Sequence, residues 1–451
     1  MSLVRCDLNL SRFSKLILPT CVKLAITNPK RGVAAQTGRD QWFPYYAGFS
    51  SEFADQLIAS SSLAKGSAVM DPWNGSGTTT SFAVLNGYRA VGFDLNPVMA
   101  VVAKARLLPQ CEIASVAPLL ADILKKASRA KIAPEVRDPL RIWFATDAAA
   151  SVRRIERAIY VLLVSAQAPN RNALESIQEL SSLAAFFYVA LFRTVRSLLH
   201  RFKGSNPTWI TRPRTTHSRI RPAASNVSEC FANYVTRMAS ASATSAELGS
   251  PVFDSTVEMA SSESLPVRRA TIDFVLSSPP YCTRIDYGVA TLPELAVLGF
   301  QIDSRLRELR ARLIGTPTIH AEVPKPHASW GNTCLALLRR IENHPSKAAK
   351  SYYHKTYVQY FAAMAKSFSE LSRCLKRQAQ CVLVVQDSYF KDTHIDLAAI
   401  FAEMALSASL ELRRQVNFPI SRTFGSINSR SRSYRNASSA TESVLCFVKD
   451  V

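Results

Sequence analysis

Residues 67–94 read SAVMDPWNGSGTTTSFAVLNGYRAVGFD, and the punctuation of this stretch decides the fold class. An apolar β-type run at 67–70 stops at Asp71, crosses a turn containing Gly75 and Gly77, and continues as a helix from about Thr80. The glycines let the backbone come close to a ligand, and Ser76 and Thr78 leave room beside it. A second apolar run at 88–93 ends in Asp94, about twenty residues past the turn. Strand, glycine turn, helix N-terminus and spaced acid form the arrangement that receives a nucleotide-like cofactor, with the acid placed for the two hydroxyls of a ribose. An α/β sheet with a ligand crevice at its strand ends is therefore expected. The alternative is one of the many strand-to-helix turns that carry glycine.

A second apolar run has an unusual ending. Residues 272–281, IDFVLSSPPY, pass from a buried-type strand into Ser278, Pro279, Pro280 and Tyr281. Two prolines fix φ and remove two backbone donors, so the turn is stiff and its carbonyls are left to accept hydrogen bonds from a ligand. Tyr281 adds a flat stacking surface. Acceptors beside an aromatic suit the gripping of the amino group of a nucleobase swung out of its stack; the alternative is an ordinary Pro-Pro turn after a core strand. Upstream, WFPYYAGFSSEFADQLIAS at 42–60 reads as an aromatic turn leading into a helix, capped by Ser50 or Ser51, with Phe53, Leu57 and Ile58 on one face.

The chain has 451 residues, 47% of them hydrophobic, enough for a full core in two or three domains. Its net charge of +21 points to a polyanionic partner, nucleic acid or an anionic membrane surface. The most apolar stretches, 159–168 and 183–192, are shorter than a membrane span and are flanked by arginines, so they read as buried helices. The nine cysteines form no CxxC or Cys/His cluster, which speaks against a zinc site or a disulfide framework. No export signal is legible at the N-terminus, and a cytoplasmic location is expected.

Between the two motif regions, residues 107–249 lose the strand–helix alternation. Helical patterns fill 142–165 and 174–202, and a Pro, Ser and Arg-rich stretch follows. No acidic residue lies between Glu179 and Glu229, a window holding Arg193, Arg196, Arg201, Lys203, Arg212, Arg214, Arg219 and Arg221 with Trp209 and His217 among them. Such a loop suits phosphate contacts with a few base contacts; the alternative is a solvated basic face. Strand patterning returns at 251–253, ending in Asp254, and residues 301–350 form a second irregular insertion. An amphipathic helix is expected at 352–375 with Phe361, Met364, Phe368 and Leu371 buried, then a strand at 381–385 and a helix at 396–406. Strands at 410–418 and 443–448 close the chain, joined by a loop with Arg422, Arg430, Arg432, Tyr434 and Arg435 that is a second candidate for nucleic-acid contact.

Three stretches together resemble the S-adenosylmethionine-dependent DNA amino-methyltransferases. The chain has DPWNGSGTT where that family carries DPFxGSGTT, SSPPY where it carries (S/T/N/D)PP(Y/F/W), and FPYYAGFSSEFADQLI where it carries a looser cofactor motif. The resemblance covers roughly 41–106, 250–300 and 350–451. It implies a three-layer αβα Rossmann-like sheet of seven strands with the last antiparallel, split into a cofactor part (41–106), a catalytic part (250–300) and a C-terminal part (351–451). The N-terminal arm (1–40) and the insertions at 107–249 and 301–350 match no motif. A mainly helical inserted domain at 107–249 is the candidate target-recognition region. The class with a recognition region in this place usually carries it after the third strand, whereas here the third strand follows it.

By position, the resemblance implies that Gly75 and Gly77 line the methionine part of the cofactor with Asp71, Phe49, Trp73, Ser76 and Thr78 nearby. Asp94 would hold the ribose and Asp254 the adenine amino group, with a turn carboxylate as the alternative for Asp254. The target amine would donate to the Pro279 carbonyl and the Ser278 hydroxyl while Tyr281 stacks on the base. Ser at the first position of this turn goes most often with cytosine N4, and Asp or Asn with adenine N6. The implied partners are duplex DNA, contacted by Arg201, Lys203, Trp209, Arg212, Arg214, Arg219, Arg430 and Arg432, and a restriction or defence nuclease; no metal is implied. Adenine N6 as target, structured RNA as substrate, and a degenerate binding module stay open. Asp286 and Arg284, just past the turn, assist catalysis or pair with each other.

Overall fold

The computed structural model describes residues 23–30, 38–45, 48–132, 135–166, 173–204, 209–242, 255–282, 286–420 and 440–450. Helix α1 (Ser51–Ala59) starts at the expected cap, with the Phe53 amide donating to the Ser50 hydroxyl at 3.2 Å. Strand β1 (Ala68–Asp71), helix α2 (Thr78–Leu85), strand β2 (Arg89–Phe93) and helix α3 (Pro97–Arg106) follow in the order that residues 67–94 announce. The insertion supplies α4 (Val116–Arg129), α5 (Thr146–Leu163), α6 (Ser182–Leu198) and α7 (Ala224–Ser242). After it come β3 (Thr256–Glu258), β4 (Ile272–Ser277), α8 (Tyr287–Ala290), α9 (Leu292–Val297), α10 (Ile302–Arg312) and α11 (Asn332–Glu342). The C-terminal part comprises α12 (His354–Cys374), β5 (Leu375–Gln386), the hairpin β6 (Ser388–Phe390) and β7 (Thr393–Ile395), α13 (Leu397–Ser407), β8 (Leu410–Ile420) and β9 (Ala440–Lys449).

Seven strands form one sheet in the order β3-β2-β1-β4-β5-β9-β8. The pairs from β3 through β5 are parallel, and β9 runs antiparallel to both β5 and β8. The last strand of the chain is thus the reversed one, as the resemblance implies, and the fold is Rossmann-like α/β. From β1 the chain steps outward to β2 and β3, then returns to the other side of β1 as β4. That reversal opens a crevice at the C-terminal ends of β1 and β4, where open α/β sheets bind their ligands.

Alternation along the strands builds two of the layers. Val69, Phe274, Leu276, Val382, Val384, Val444 and Cys446 pack with Phe53, Leu57 and Ile58 of α1 and with Ala83 of α2. Their neighbours Met70, Val275, Cys381, Leu383, Leu445 and Phe447 point the other way, into Leu337, Phe361, Met364, Phe368 and Phe401 of α11, α12 and α13. The expected stripe of α12 is all buried. The insertion shares a third core with α3 and α9: residues 184–192 of α6 are buried throughout, and Trp42, 1% exposed, sits edge-on to Phe186 with its indole N–H donating to the Met238 carbonyl at 2.8 Å.

One strand lies elsewhere than expected. Strand β3 begins at Thr256 and pairs Val257 with Gly92, so residue 254 precedes the strand instead of closing its C-terminal end. Asp254 and the expected strand at 251–253 fall outside the described residues, and the acid at the ligand end of β3 is Glu258. In an edge strand of three residues, periodicity cannot choose between the apolar pair before Asp254 and the single Val257 after it. No single helix among the described residues is long and apolar enough to cross a membrane.

Two of the arginines in the acid-free window are half-buried and engaged by the protein's own groups. Arg196 donates through Nε and Nη2 to both carboxylate oxygens of Glu294, which is 0% exposed, and through Nη2 to the Ala290 carbonyl at 2.7 Å. Arg193 donates to the Gln41 carbonyl at 3.0 Å and lies over the Tyr234 ring. Removing one partner of a buried pair leaves the other charge stranded. Arg196→Ala is expected to lower stability by about 3–5 kcal/mol, read as a fall in the denaturation midpoint at unchanged slope against urea.

Candidate active site

The crevice is an open cleft at the C-terminal ends of β1 and β4. Phe49, Asp71, Trp73, Gly75, Ser76, Thr78, Asp94, Ser278, Pro279, Pro280 and Tyr281 all line it. The two turns read from the sequence therefore meet in one cleft. Gly77 does not line it. Its φ is +83°, and a Cβ there would sit 2.8 Å from Ala103 Cβ, so the glycine serves the packing of α2 on α3.

Asp71 joins the two turns. It is buried at the end of β1 and accepts from the Ser277 hydroxyl at the end of β4 and from the Trp73 amide at 3.0 Å. Thr79, in the first turn of α2, ties that helix to β4 by donating to the Leu276 carbonyl at 3.0 Å. Burial pushes the Asp71 carboxyl up to about 6, against the pull of its hydrogen bonds from Ser277 and Trp73. Asp94 is likewise raised by burial to about 6, while accepting the Gly75 amide at 2.9 Å on one oxygen and the Asn96 amide at 2.8 Å on the other. Each oxygen keeps a lone pair for a ligand. In the same wall Trp73 Nε1 and Asn74 Nδ2 are buried donors with no partner among the described residues.

The Ser278–Tyr281 turn is held from outside. The Tyr360 hydroxyl donates to the Pro280 carbonyl at 2.9 Å, and the Tyr281 amide donates to the Tyr287 hydroxyl at 3.3 Å. Pro280 is thereby occupied, whereas the Pro279 carbonyl receives no donor among the described residues. Asp286 pairs with Arg310 at 2.6 Å; Arg284 lies outside the described residues.

Several lining or supporting residues gave no usable signal in the sequence. Asn96 caps α3, which its position before Pro97 announces, but its amide also donates to the Tyr287 carbonyl at 3.2 Å and to Thr291 Oγ1 at 2.9 Å. It thereby links the Asp94 side of the cleft to α8. Arg106, 2% exposed, donates to Ser76 Oγ at 3.2 Å and pairs with Asp40 at 3.2 Å. Gly92 is needed because a Cβ there would overlap the Asn74 amide. Tyr45, Met99, Leu313 and Ile314 complete the walls.

The basic residues lie apart from the cleft lining. Arg201 and Lys203 are exposed on either side of Phe202, with Arg201 over its ring at 5.5 Å. Trp209 is 38% exposed, Arg214 is exposed and Arg219 half-buried. Arg212 pairs with Asp303 of α10 at 2.9 Å, so a window without acids in sequence acquires one in space. Arg422, Arg430, Arg432, Tyr434 and Arg435 lie outside the described residues. Among the described residues no group of three or more His, Cys, Asp or Glu side chains is arranged to hold a metal ion.

Both raised carboxyls carry a pH signature. Each sits above the 3.8 of an ordinary aspartate, so the folded chain keeps these protons to higher pH than the unfolded one. Their contribution to stability falls as pH rises from about 4 to about 6 and is level above that. Asp71→Asn keeps an acceptor for Ser277 and is expected to flatten this fall, read as the difference between wild-type and variant urea midpoints across the interval.

No family model matches the chain. The chain is 39% identical over 70 residues to the type II methyltransferase M.BsoBI of Geobacillus stearothermophilus, a match covering 15% of this chain and 14% of that protein.

Proposed function

We propose that the chain transfers a methyl group from S-adenosylmethionine to the exocyclic N4 amine of cytosine in duplex DNA, as the modification activity of a restriction-modification or defence system with a partner nuclease. The observation that carries this reading is the meeting of the glycine turn with Asp94 and the Ser278–Tyr281 turn in one cleft. The partial likeness to a type II methyltransferase supports it, as does the net charge of +21.

S-adenosylmethionine, when bound, supplies an electrophilic methyl group on a positively charged sulfur. Asp94 would accept the ribose hydroxyls with the lone pairs that Gly75 and Asn96 leave. Phe49, Trp73, Gly75, Ser76 and Thr78 would enclose the rest, and the unsatisfied donors of Trp73 and Asn74 would find acceptors there. Asp71 holds the two strand ends together and is a positioning residue. The adenine role that the resemblance gives to Asp254 as the end of the third strand would pass to Glu258, the acid at the ligand end of β3.

The target amine is conjugated with its ring and is a poor nucleophile. Donating its two protons to the Pro279 carbonyl and to Ser278 would draw the nitrogen toward tetrahedral geometry and free its lone pair for in-line attack. Tyr360 and Tyr287 fix the turn from behind, so the acceptors are set before the base arrives. Tyr281 would stack on the flipped base. Extrusion costs a few kcal/mol, and stacking at about 1–3 kcal/mol per base, with the basic surface, offsets it. Ser278 favours cytosine over adenine by the association stated for the resemblance. Residues 107–249, with Arg201, Lys203, Trp209, Arg214 and Arg219 on their surface, would read the target, and Arg430 and Arg432 would add contacts.

Pro279→Ala and Tyr281→Ala are expected to lose methyl transfer to DNA while binding S-adenosylmethionine as the wild type does in calorimetry. Asp94→Asn is expected to weaken cofactor binding directly. Equal loss of cofactor affinity in all three would contradict these roles.

A further inference from the structure

Helix α10 belongs to the insertion that matches no motif, yet it leads straight into the cleft: Leu313 and Ile314, just after it, line the wall. Ile302 and Leu309 are buried and Leu306 half-buried, the stripe that seats the helix. It rides closely on α8, since a Cβ at Gly288 would come 3.1 Å from Arg310 Cγ and 3.6 Å from Leu306 Cδ1. A second stripe, Asp303, Arg307 and Arg310, follows i, i+4, i+7 spacing and so shares one face. Its ends are tied in opposite directions, Asp303 to Arg212 of the basic loop at 2.9 Å and Arg310 to Asp286 beside the catalytic turn at 2.6 Å. Those anchors span about 10 Å of helix. Arg307 lies between them, exposed, and makes no ion pair among the described residues.

We infer that α10 is a wall of the nucleic-acid channel and that Arg307 contacts a phosphate of the DNA strand between the basic loop and the catalytic turn. This rests on the DNA reading proposed above and extends it to residues that the motifs do not reach. A single exposed arginine would be an ordinary solvated charge; the position of this one, between two paired residues on the helix that leads into the cleft wall, is what assigns it a ligand. Charge complementarity fixes the class, since the neighbouring loop carries Arg201, Lys203, Arg214 and Arg219. The Arg212–Asp303 pair is exposed on both sides, 46% and 80%, and such pairs contribute about 0–1 kcal/mol. A phosphate can therefore displace Asp303 from Arg212, and Asp303 acts as a competitor for the DNA.

The test is a fluorescence-anisotropy titration of the full chain against a mixed-sequence DNA duplex over a range of salt. Arg307→Gln is expected to weaken binding several-fold and to reduce the slope of log affinity against log salt by about 1. Asp303→Asn is expected to tighten binding, and Arg305→Gln, whose side chain lies over Phe300 at 5.4 Å, to leave the slope unchanged. If the wild type binds the duplex and Arg307→Gln keeps both affinity and slope, α10 is not part of the channel although the DNA reading stands. Weaker binding by Asp303→Asn and Arg307→Gln alike, with a lower melting temperature, would mean a structural role and overturn the inference. A wild type that binds no duplex overturns the DNA reading itself.

Discussion

A buried carboxylate at the switch point of the sheet sets the position of everything else in the cleft. Asp71 ends β1, Ser277 ends β4, and their hydrogen bond brings the glycine turn and the proline turn to one place. Burying an acid is costly, and the cost appears as a carboxyl raised to about 6 despite its donors. Asn96 makes the second bridge, joining the amide contact of Asp94 to the backbone of Tyr287 and the hydroxyl of Thr291. With both bridges in place, neither turn can shift without breaking hydrogen bonds in a buried site. That is the preorganisation a transfer between two bound groups requires.

Arginine does three separate jobs in this chain. Arg153 and Arg196 neutralise buried acids, Arg153 against Asp138 and Glu156 and Arg196 against Glu294. Arg39 and Arg106 tie the segment at 38–45 to the glycine turn, Arg39 through the Arg106 and Leu108 carbonyls and Arg106 through Asp40 and Ser76. Others, Arg201 and Arg214 among them, are exposed, where charge is available to a polyanion. Net charge alone therefore overstates the interface, and burial is what sorts structural arginines from those that can meet a phosphate.

The parts of the fold legible in the sequence are those set by local rules. Strands β1, β2 and β4 are buried on both faces and read as short apolar runs, each ended by an acid or a proline turn. Helix α1 carries its own cap, and α12 its own stripe. What failed to show was set by distant partners. The acid of Arg196 lies 98 residues away, and the amide of Asn96 reaches a carbonyl 191 residues on. Strand β3 is an edge of three residues whose place is fixed by pairing with β2, and Gly77 turned out to face Ala103 and not the cleft. Local pattern can name a turn, but only the packed sheet says which residues share it.

The most direct measurement is nucleoside mass spectrometry of DNA and RNA from a host expressing the chain, against the same host without it. N4-methylcytosine appearing in the DNA is the expected result. A DNA digest without any new methylated base, or methylation confined to RNA, would contradict the account, and N6-methyladenine in the DNA would keep the chemistry but overturn the choice of base drawn from Ser278.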